Sequence, residues 1–154
     1  MVADTRMSVP LRKLRRFMME GLPVAAVAHS YHVEALSDPK VGKDPAFQRF
    51  SLVELNELHH QVAALGALLR LQMGDPSAMA SLGANLLGFL QNRGLGMYLI
   101  EQVPASVRQD PRVQRMLVLT QRSNQQIARH WPLLMRVVTA SGASAPGPMQ
   151  VACP

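Results

Sequence analysis

The sequence predicts an all-α protein: a single-domain bundle of four to five amphipathic helices with a disordered C-terminal tail. The chain has 154 residues, a length that favours one hydrophobic core over two. Apolar residues make up 48% of the chain and aromatic residues only 5%. The abundant Leu, Ala and Met lose little conformational freedom in a helix. Apolar residues also recur every three or four positions between breaks that contain Pro or Gly, which is typical of helices with one buried face.

The helical bundle is expected to span residues 8–140, after a flexible start at residues 1–7. From Ser141 onward Gly, Ala, Ser and Pro dominate and periodic apolar residues are lacking. Such a composition cannot bury a face, so residues 141–154 are expected to be a disordered tail.

Two short helices are predicted before residue 37. Pro10 opens a basic helix that Gly21 closes, because proline is tolerated in the first turn and glycine ends helices readily. Pro23 then opens an Ala- and Val-rich helix. Residues 37–45 contain two Asp-Pro pairs and a glycine, which is typical of a loop.

The third helix has the clearest pattern and is predicted over residues 51–73. Ser51 and Glu54 have the spacing of a capping box, in which each side chain bonds the other residue's backbone N–H. Gly74 ends the helix. The apolar stripe expected to face the core follows a 3-4-3-4 spacing and consists of Leu55, Leu58, Val62, Leu65 and Leu69.

A fourth, apolar helix is predicted over residues 77–92, where Gly83 and Gly88 indicate close packing against neighbours. Residues 93–96, Arg93 with two glycines at 94 and 96, predict a break, followed by a short helix or turn at residues 97–103.

The last long helix is predicted to begin at Pro111 and to be kinked by Pro132 near Ala128. Its apolar seam carries two polar residues, Thr120 and Asn124. Polar residues on a seam can fix the register of a helix pair, so we also consider a homodimer in which a second copy supplies the partner helix.

The basic residues are concentrated at both ends of the sequence, although the net charge is only +6. Residues 1–16 hold five basic residues and one acidic residue, residues 17–110 hold six and nine, and residues 111–154 hold five and none. This asymmetry predicts an anionic partner: nucleic acid, an acidic protein surface or anionic lipid.

Arginines recur every seven residues at 108, 115, 122, 129 and 136, away from the apolar seam. A solvated helix face normally mixes both charges, whereas this one has no acidic residue. Our first interpretation is therefore a non-enzymatic helical protein that binds nucleic acid or another anionic partner, or that regulates a protein that does so. The predicted anion-binding residues are Arg12, Lys13, Arg15, Arg16, Arg112, Arg115, Arg122, Arg129 and Arg136.

Two alternatives remain. The first is a protein–protein adaptor or secretion-type chaperone with a Met- and Leu-rich groove. The second is a metal-dependent enzyme in which His29, His32, Glu57 and His60 bind a divalent ion. A second Glu-x-x-His pair is lacking, as are a nucleophile elbow and a phosphate loop. We therefore predict no catalytic residue and no cofactor.

The single cysteine, Cys153, excludes an intrachain disulfide and fits a reducing compartment. A basic stretch followed by the apolar residues 17–28 resembles a secretory signal in outline, but Glu20 and Pro23 interrupt it. No apolar stretch is long enough for a transmembrane segment. We expect a soluble, cytoplasmic protein.

Overall fold

A computed structural model describes residues 5–143 of the chain, with side chains from Met7 onward. The described residues contain helices and no strand, which confirms the all-α prediction. Most of the predicted tail, including Cys153, lies outside the described residues, as do residues 1–4. The helices are α1 (Thr5–Ser37), α2 (Pro39–Gly42), α3 (Pro45–Gln72), α4 (Ala78–Ile100), α5 (Ala105–Arg108), α6 (Pro111–Arg129) and α7 (Trp131–Ala140).

The described chain thus forms seven helices, and the predicted number of four to five was wrong. Two of the seven, α2 and α5, have four residues each and lie in connecting segments. A side-chain cap on Asp38 stabilises the first of them: its carboxylate accepts a 3.0 Å hydrogen bond from the backbone N–H of Lys40.

Helix α1 is a single helix of 33 residues, so the predicted boundary between Gly21 and Pro23 was wrong. Proline removes only one hydrogen bond from the helix, and burial on both sides of it opposes a break. Leu14 before the proline and Ala35 after it are both completely buried. Tertiary packing therefore outweighs the local signals, and the helix begins at Thr5, within the segment predicted to be flexible.

Helices α3 and α4 form an antiparallel hairpin. Helix α3 begins at Pro45, where the Asp44 carboxylate accepts a 2.9 Å hydrogen bond from the backbone N–H of Phe47. The capping box at Ser51 was therefore wrong. The predicted break at residues 93–96 was wrong too, because α4 continues to Ile100.

The glycines of α4 allow close packing, as predicted. A Cβ atom at Gly88 would lie 2.8 Å from the His60 ring, and one at Gly83 would overlap the Ser141 side chain. Glycine is required at both positions because neighbouring side chains occupy the space.

The predicted last helix is divided at His130 into α6 and α7, and Pro132 lies in the first turn of α7. These two helices pack antiparallel to α1. The backbone carbonyl of Glu34 accepts a 3.3 Å hydrogen bond from Arg112 near one end, and the Phe17 and His130 rings lie 5.1 Å apart near the other.

The stripe predicted to face the core on α3 was wrong in part, although Leu65 does pack against the core. Leu55 and Val62 are about half exposed, while Glu57 and Gln61 face the interior. On α6, Asn124 contacts Arg93 and Met97 of the same chain. Its seam is therefore covered from within, and a second copy is not needed there.

Candidate functional site

The antiparallel packing of α1 against α6 and α7 brings together basic segments that are more than a hundred residues apart in sequence. Helices α1, α6 and α7 contribute six described basic side chains to this end of the bundle, all exposed, and Arg70 at the end of α3 is exposed nearby. Glu20 and Asp75 are acidic residues on the same part of the fold. We call this cluster the basic end; it consists of Arg12, Lys13, Arg15, Arg16, Arg129 and Arg136.

An open groove of about 330 Å³ lies between the start of α1 and α7 at the basic end. Each helix contributes one cation to it, Lys13 and Arg136. The rest of the lining is apolar and consists of Val9, Pro10, Pro132 and Leu133. A groove with this lining can hold an apolar or planar group beside an anionic one, as a base beside a phosphate requires.

Two side chains of the basic end, Arg15 and Arg16, each make one weak contact with a neighbouring side chain. Arg15 donates a 3.3 Å hydrogen bond to the Gln72 side chain of α3. Arg16 lies 3.7 Å from the Glu20 carboxylate, and both side chains are largely exposed. Exposed pairs of this kind contribute little to stability, so they leave these cations able to bind an external anion.

Arg112, a predicted anion-binding residue, is engaged within the fold. Its guanidinium donates hydrogen bonds of 2.8 Å to both the Asp38 and the Asp110 carboxylates. These contacts lower the pKa of Asp110 to about 2, lower the pKa of Asp38 and raise the pKa of Arg112. Arg112 therefore connects α1, α2 and α6.

The arginine row of α6 and α7 remains exposed at 115, 122, 129 and 136. The Arg115 guanidinium lies 5.5 Å from the centre of the Tyr31 ring of α1. Arg122 lies between Arg115 and Arg129 on α6, seven residues from each. Arg108, the first arginine of the predicted row, belongs to α5 instead.

The four predicted metal ligands do not converge. His29 approaches His32, with ring centres 6.5 Å apart, but Glu57 binds Arg93 and the His60 ring lies 3.0 Å from the Asn85 side-chain oxygen. Among the residues that the structure describes, no three His, Cys, Asp or Glu side chains are grouped so as to hold a metal ion.

Instead, His32 connects Ser51 and Glu54 between α1 and α3. Its Nε2 atom lies 2.6 Å from the Ser51 hydroxyl, and its Nδ1 atom contacts the Glu54 carboxylate. A hydrolase would use the same sequence of groups, but Ser51 lies within a helix and its hydroxyl donates to the Phe47 carbonyl at 2.7 Å. Helical N–H groups are already bonded, so none can form an oxyanion hole there. The arrangement joins two helices.

A second buried network has Arg93 at its centre. The guanidinium donates to the Glu57 carboxylate at 2.5 and 3.2 Å, to the Ser123 hydroxyl at 2.9 Å and to the Asn124 side chain at 2.8 Å. Burial raises the pKa of Glu57, and the positive charge of Arg93 opposes that rise. The adjoining cavity, of about 20 Å³, is lined by Glu54 and is about the size of one water molecule. It is too small for a substrate.

Neither buried network was predicted. Ser51 and Glu54 were interpreted as a helix cap, and Arg93 was placed in a break. A helix-compatible signal did exist, because Ser51, Glu54, Glu57 and Gln61 recur every three or four residues. These polar residues define the buried face of α3.

In the described part of the chain, no helix combines the length and the apolar character needed to cross a membrane. The function must be inferred from the basic end and the networks themselves. Comparison with protein-family models, curated proteins and solved structures finds no match for this chain.

Proposed function

We propose that this chain is a non-enzymatic protein that binds nucleic acid through the basic end and the adjoining arginine row. The observation that carries the proposal is the antiparallel packing of α1 with α6 and α7, because it unites both basic segments. We also propose a regulatory role, which requires that the bound nucleic acid be a control site.

An extended polyanion fits this surface better than a small anion does. Consecutive arginines of the row are seven residues apart, about 10 Å along a helix, so Arg115 and Arg129 of α6 are about 20 Å apart, and α7 adds Arg136. Nucleic acids carry phosphates over such lengths, whereas a metabolite offers one or two. Thirteen of the sixteen basic residues are Arg, whose planar guanidinium can bind phosphate through two hydrogen bonds.

The test compares two triple variants of the full chain. Replacing Arg12, Lys13 and Arg129 by Gln removes three charges from the basic end. Replacing Lys40, Lys43 and Arg49 by Gln removes three exposed charges from the opposite end of the bundle. Binding of labelled single- and double-stranded oligonucleotides is measured by fluorescence anisotropy between about 50 and 200 mM salt, a range over which phosphate-mediated affinity changes strongly.

Each arginine or lysine that binds a phosphate releases condensed counterions. The slope of log affinity against log salt therefore decreases by about 0.7 to 0.9 for each phosphate-binding side chain that is replaced. We expect the basic-end variant to have a slope that is smaller by roughly two units. The control variant should change much less. Equal changes in both variants would show that only net charge matters, and failure of the parent protein to bind at the lowest salt concentration would reject nucleic acid as the partner.

An acidic protein surface or anionic lipid would be the partner in that last case. The adaptor alternative requires an apolar groove rich in methionine, but Met18 and Met116 are buried in the core and only Met19 and Met73 are strongly exposed among the described residues. Exposed Leu and Val side chains occur on α1, α3, α4 and α6, and those of α3 form a row along one side of the helix. We therefore propose protein–protein contact only as self-association, as argued below.

A further inference from the structure

One side of α3 carries a continuous apolar stripe on the outside of the bundle. Leu52, Leu55, Val62 and Met73 are 71%, 55%, 54% and 87% exposed. His59 and Gly66 are exposed between them, and Leu69 is half-buried. We call this set the outer stripe; it consists of Leu52, Leu55, His59, Val62, Gly66, Leu69 and Met73.

The outer stripe has the spacing of a helix–helix contact. Its members follow each other at intervals of three and four residues over 22 residues, about 33 Å of helix. None of them is an acidic residue, a lysine or an arginine. Exposed apolar residues are common when scattered, but a continuous row of them is typical of an interface.

We propose that two copies of this chain associate through the outer stripe, with their α3 helices antiparallel across a two-fold axis between His60 and Gln61. In that register Leu55 faces Gly66 of the other copy and His59 faces Val62. Leu52 faces Leu69. The stripe is thus complementary to itself, as a two-fold interface requires.

Gly66 provides the steric reason for this pairing. A Cβ atom at this position would meet nothing within 4 Å, so the space beside it is open. Glycine does not benefit the helix here, where it is less favourable than alanine. It does let another helix approach closely, and the Leu55 side chain of a second copy can occupy the space.

Charge favours the antiparallel over the parallel arrangement of the two copies. Arg70 borders the stripe and is exposed. The antiparallel register places the two Arg70 residues at opposite ends of the contact, about 28 Å apart along the helix axis, where salt screens their repulsion. A parallel pair would bring them together.

The contact area can be estimated from the dimensions of the helix. A helix is about 10 to 12 Å in diameter, so half of its circumference over about 33 Å is roughly 500 Å² per copy. Roughly 1,000 Å² in total is at the lower end for specific interfaces. Interfaces of this size belong mostly to transient complexes, so we expect a reversible dimer and look for it between about 1 and 100 μM protein.

The test is sedimentation velocity of the full chain over that concentration range. Leu55→Glu and Gly66→Lys should each shift the protein to monomer, because each places a charge in an apolar contact. The double variant should recover the dimer, since Glu at 55 then faces Lys at 66 of the other copy. Within one copy these positions lie about 16 Å apart and cannot pair.

Val118→Glu is the matched control. Val118 is 53% exposed, like Leu55, but lies on α6, so its replacement should leave the dimer unchanged. Helical circular dichroism and thermal melts of each variant separate dissociation from unfolding. A parent protein that is monomeric at the top of the concentration range would overturn the proposal, and so would a double variant that stays monomeric. Neither result depends on nucleic-acid binding.

Discussion

The buried pair of Glu57 and Arg93 offers the sharpest test of the fold. Replacing Arg93 by Met keeps most of the apolar side-chain volume but removes the guanidinium. Glu57, which is 9% exposed, then loses the two hydrogen bonds that Arg93 donates to its carboxylate, and it loses its counter-charge. The Ser123 hydroxyl and the Asn124 side chain are each deprived of one donor as well.

The expected decrease in unfolding free energy follows from these interactions. Removing one member of a buried ion pair costs about 3 to 5 kcal/mol, chiefly because the remaining charge stays buried. Replacing Glu57 by Leu in the same chain removes that charge. The double variant should therefore be destabilised less than Arg93→Met alone, and its remaining destabilisation should come from the unpaired Ser123 and Asn124 groups, about 1 kcal/mol each.

The effect of Arg93→Met should also depend on pH. Burial raises the pKa of Glu57, and without Arg93 nothing opposes that rise. A carboxyl with a raised pKa in the folded state keeps a proton that the unfolded chain releases, so the folded state binds more protons. Stability must then fall as pH rises from the unfolded value of about 4.3 to the folded value, by up to about 1.4 kcal/mol per pH unit.

Urea denaturation followed by circular dichroism at about pH 5 and pH 7, both above the unfolded pKa, measures both effects. Parent, both single variants and the double variant form a double-mutant cycle. The reasoning would be refuted if Arg93→Met were destabilised by less than about 1 kcal/mol, an effect typical of an ordinary substitution. A variant that was no less stable at the higher pH than at the lower would equally contradict a buried, unpaired carboxylate.

Two further predictions concern glycines of α3 and α4, and the ion pair at the start of α6. Gly66→Ala, measured at a protein concentration below the range of the proposed dimer, should raise the free energy of unfolding by about 0.5 to 1 kcal/mol through helix propensity. Gly88→Ala should lower it, because the new methyl group displaces the His60 ring; equal effects in urea titrations would contradict this. Asp110, whose pKa Arg112 lowers to about 2, contributes stability that is lost as pH falls from about 4 to 2. Melting temperatures of the parent and Asp110→Asn should therefore converge at about pH 2, and a constant difference would argue against the ion pair.

The fold class could be predicted from the sequence because composition and helical periodicity act over many residues at once. Boundaries could not, since each depends on one or two residues whose local preference is small compared with burial. Pro23 disfavours a helix by about 3 kcal/mol, yet α1 buries apolar side chains on both sides of it. Pro111, by contrast, lies where local preference and packing agree, and it begins α6 as predicted.

The sequence predicted which residues belong to the candidate site, but not that they lie together in the fold. The basic residues of both segments were identified from charge alone, whereas their convergence depends on long-range packing of α1 with α6 and α7. The metal-site hypothesis had the same limit, because it depended on which face of α3 lies against α1. Helices α1 and α3 do face each other, but the rotation of α3 places Glu54, not Glu57, against His32.

The packing of α1 also has a consequence for the order in which the protein folds. Helices α3 and α4 are joined by a turn of a few residues, so their hairpin can form as soon as both are synthesised. The face of α1 that includes Val24 and Ala28 meets Leu119 of α6, more than seventy residues beyond the end of α1. At about 5 to 20 residues per second, the ribosome leaves that face without its α6 contacts for roughly 4 to 20 seconds. During this interval the nascent chain presents an apolar, Ala- and Val-rich helix face, and this face is where premature association or chaperone binding would occur.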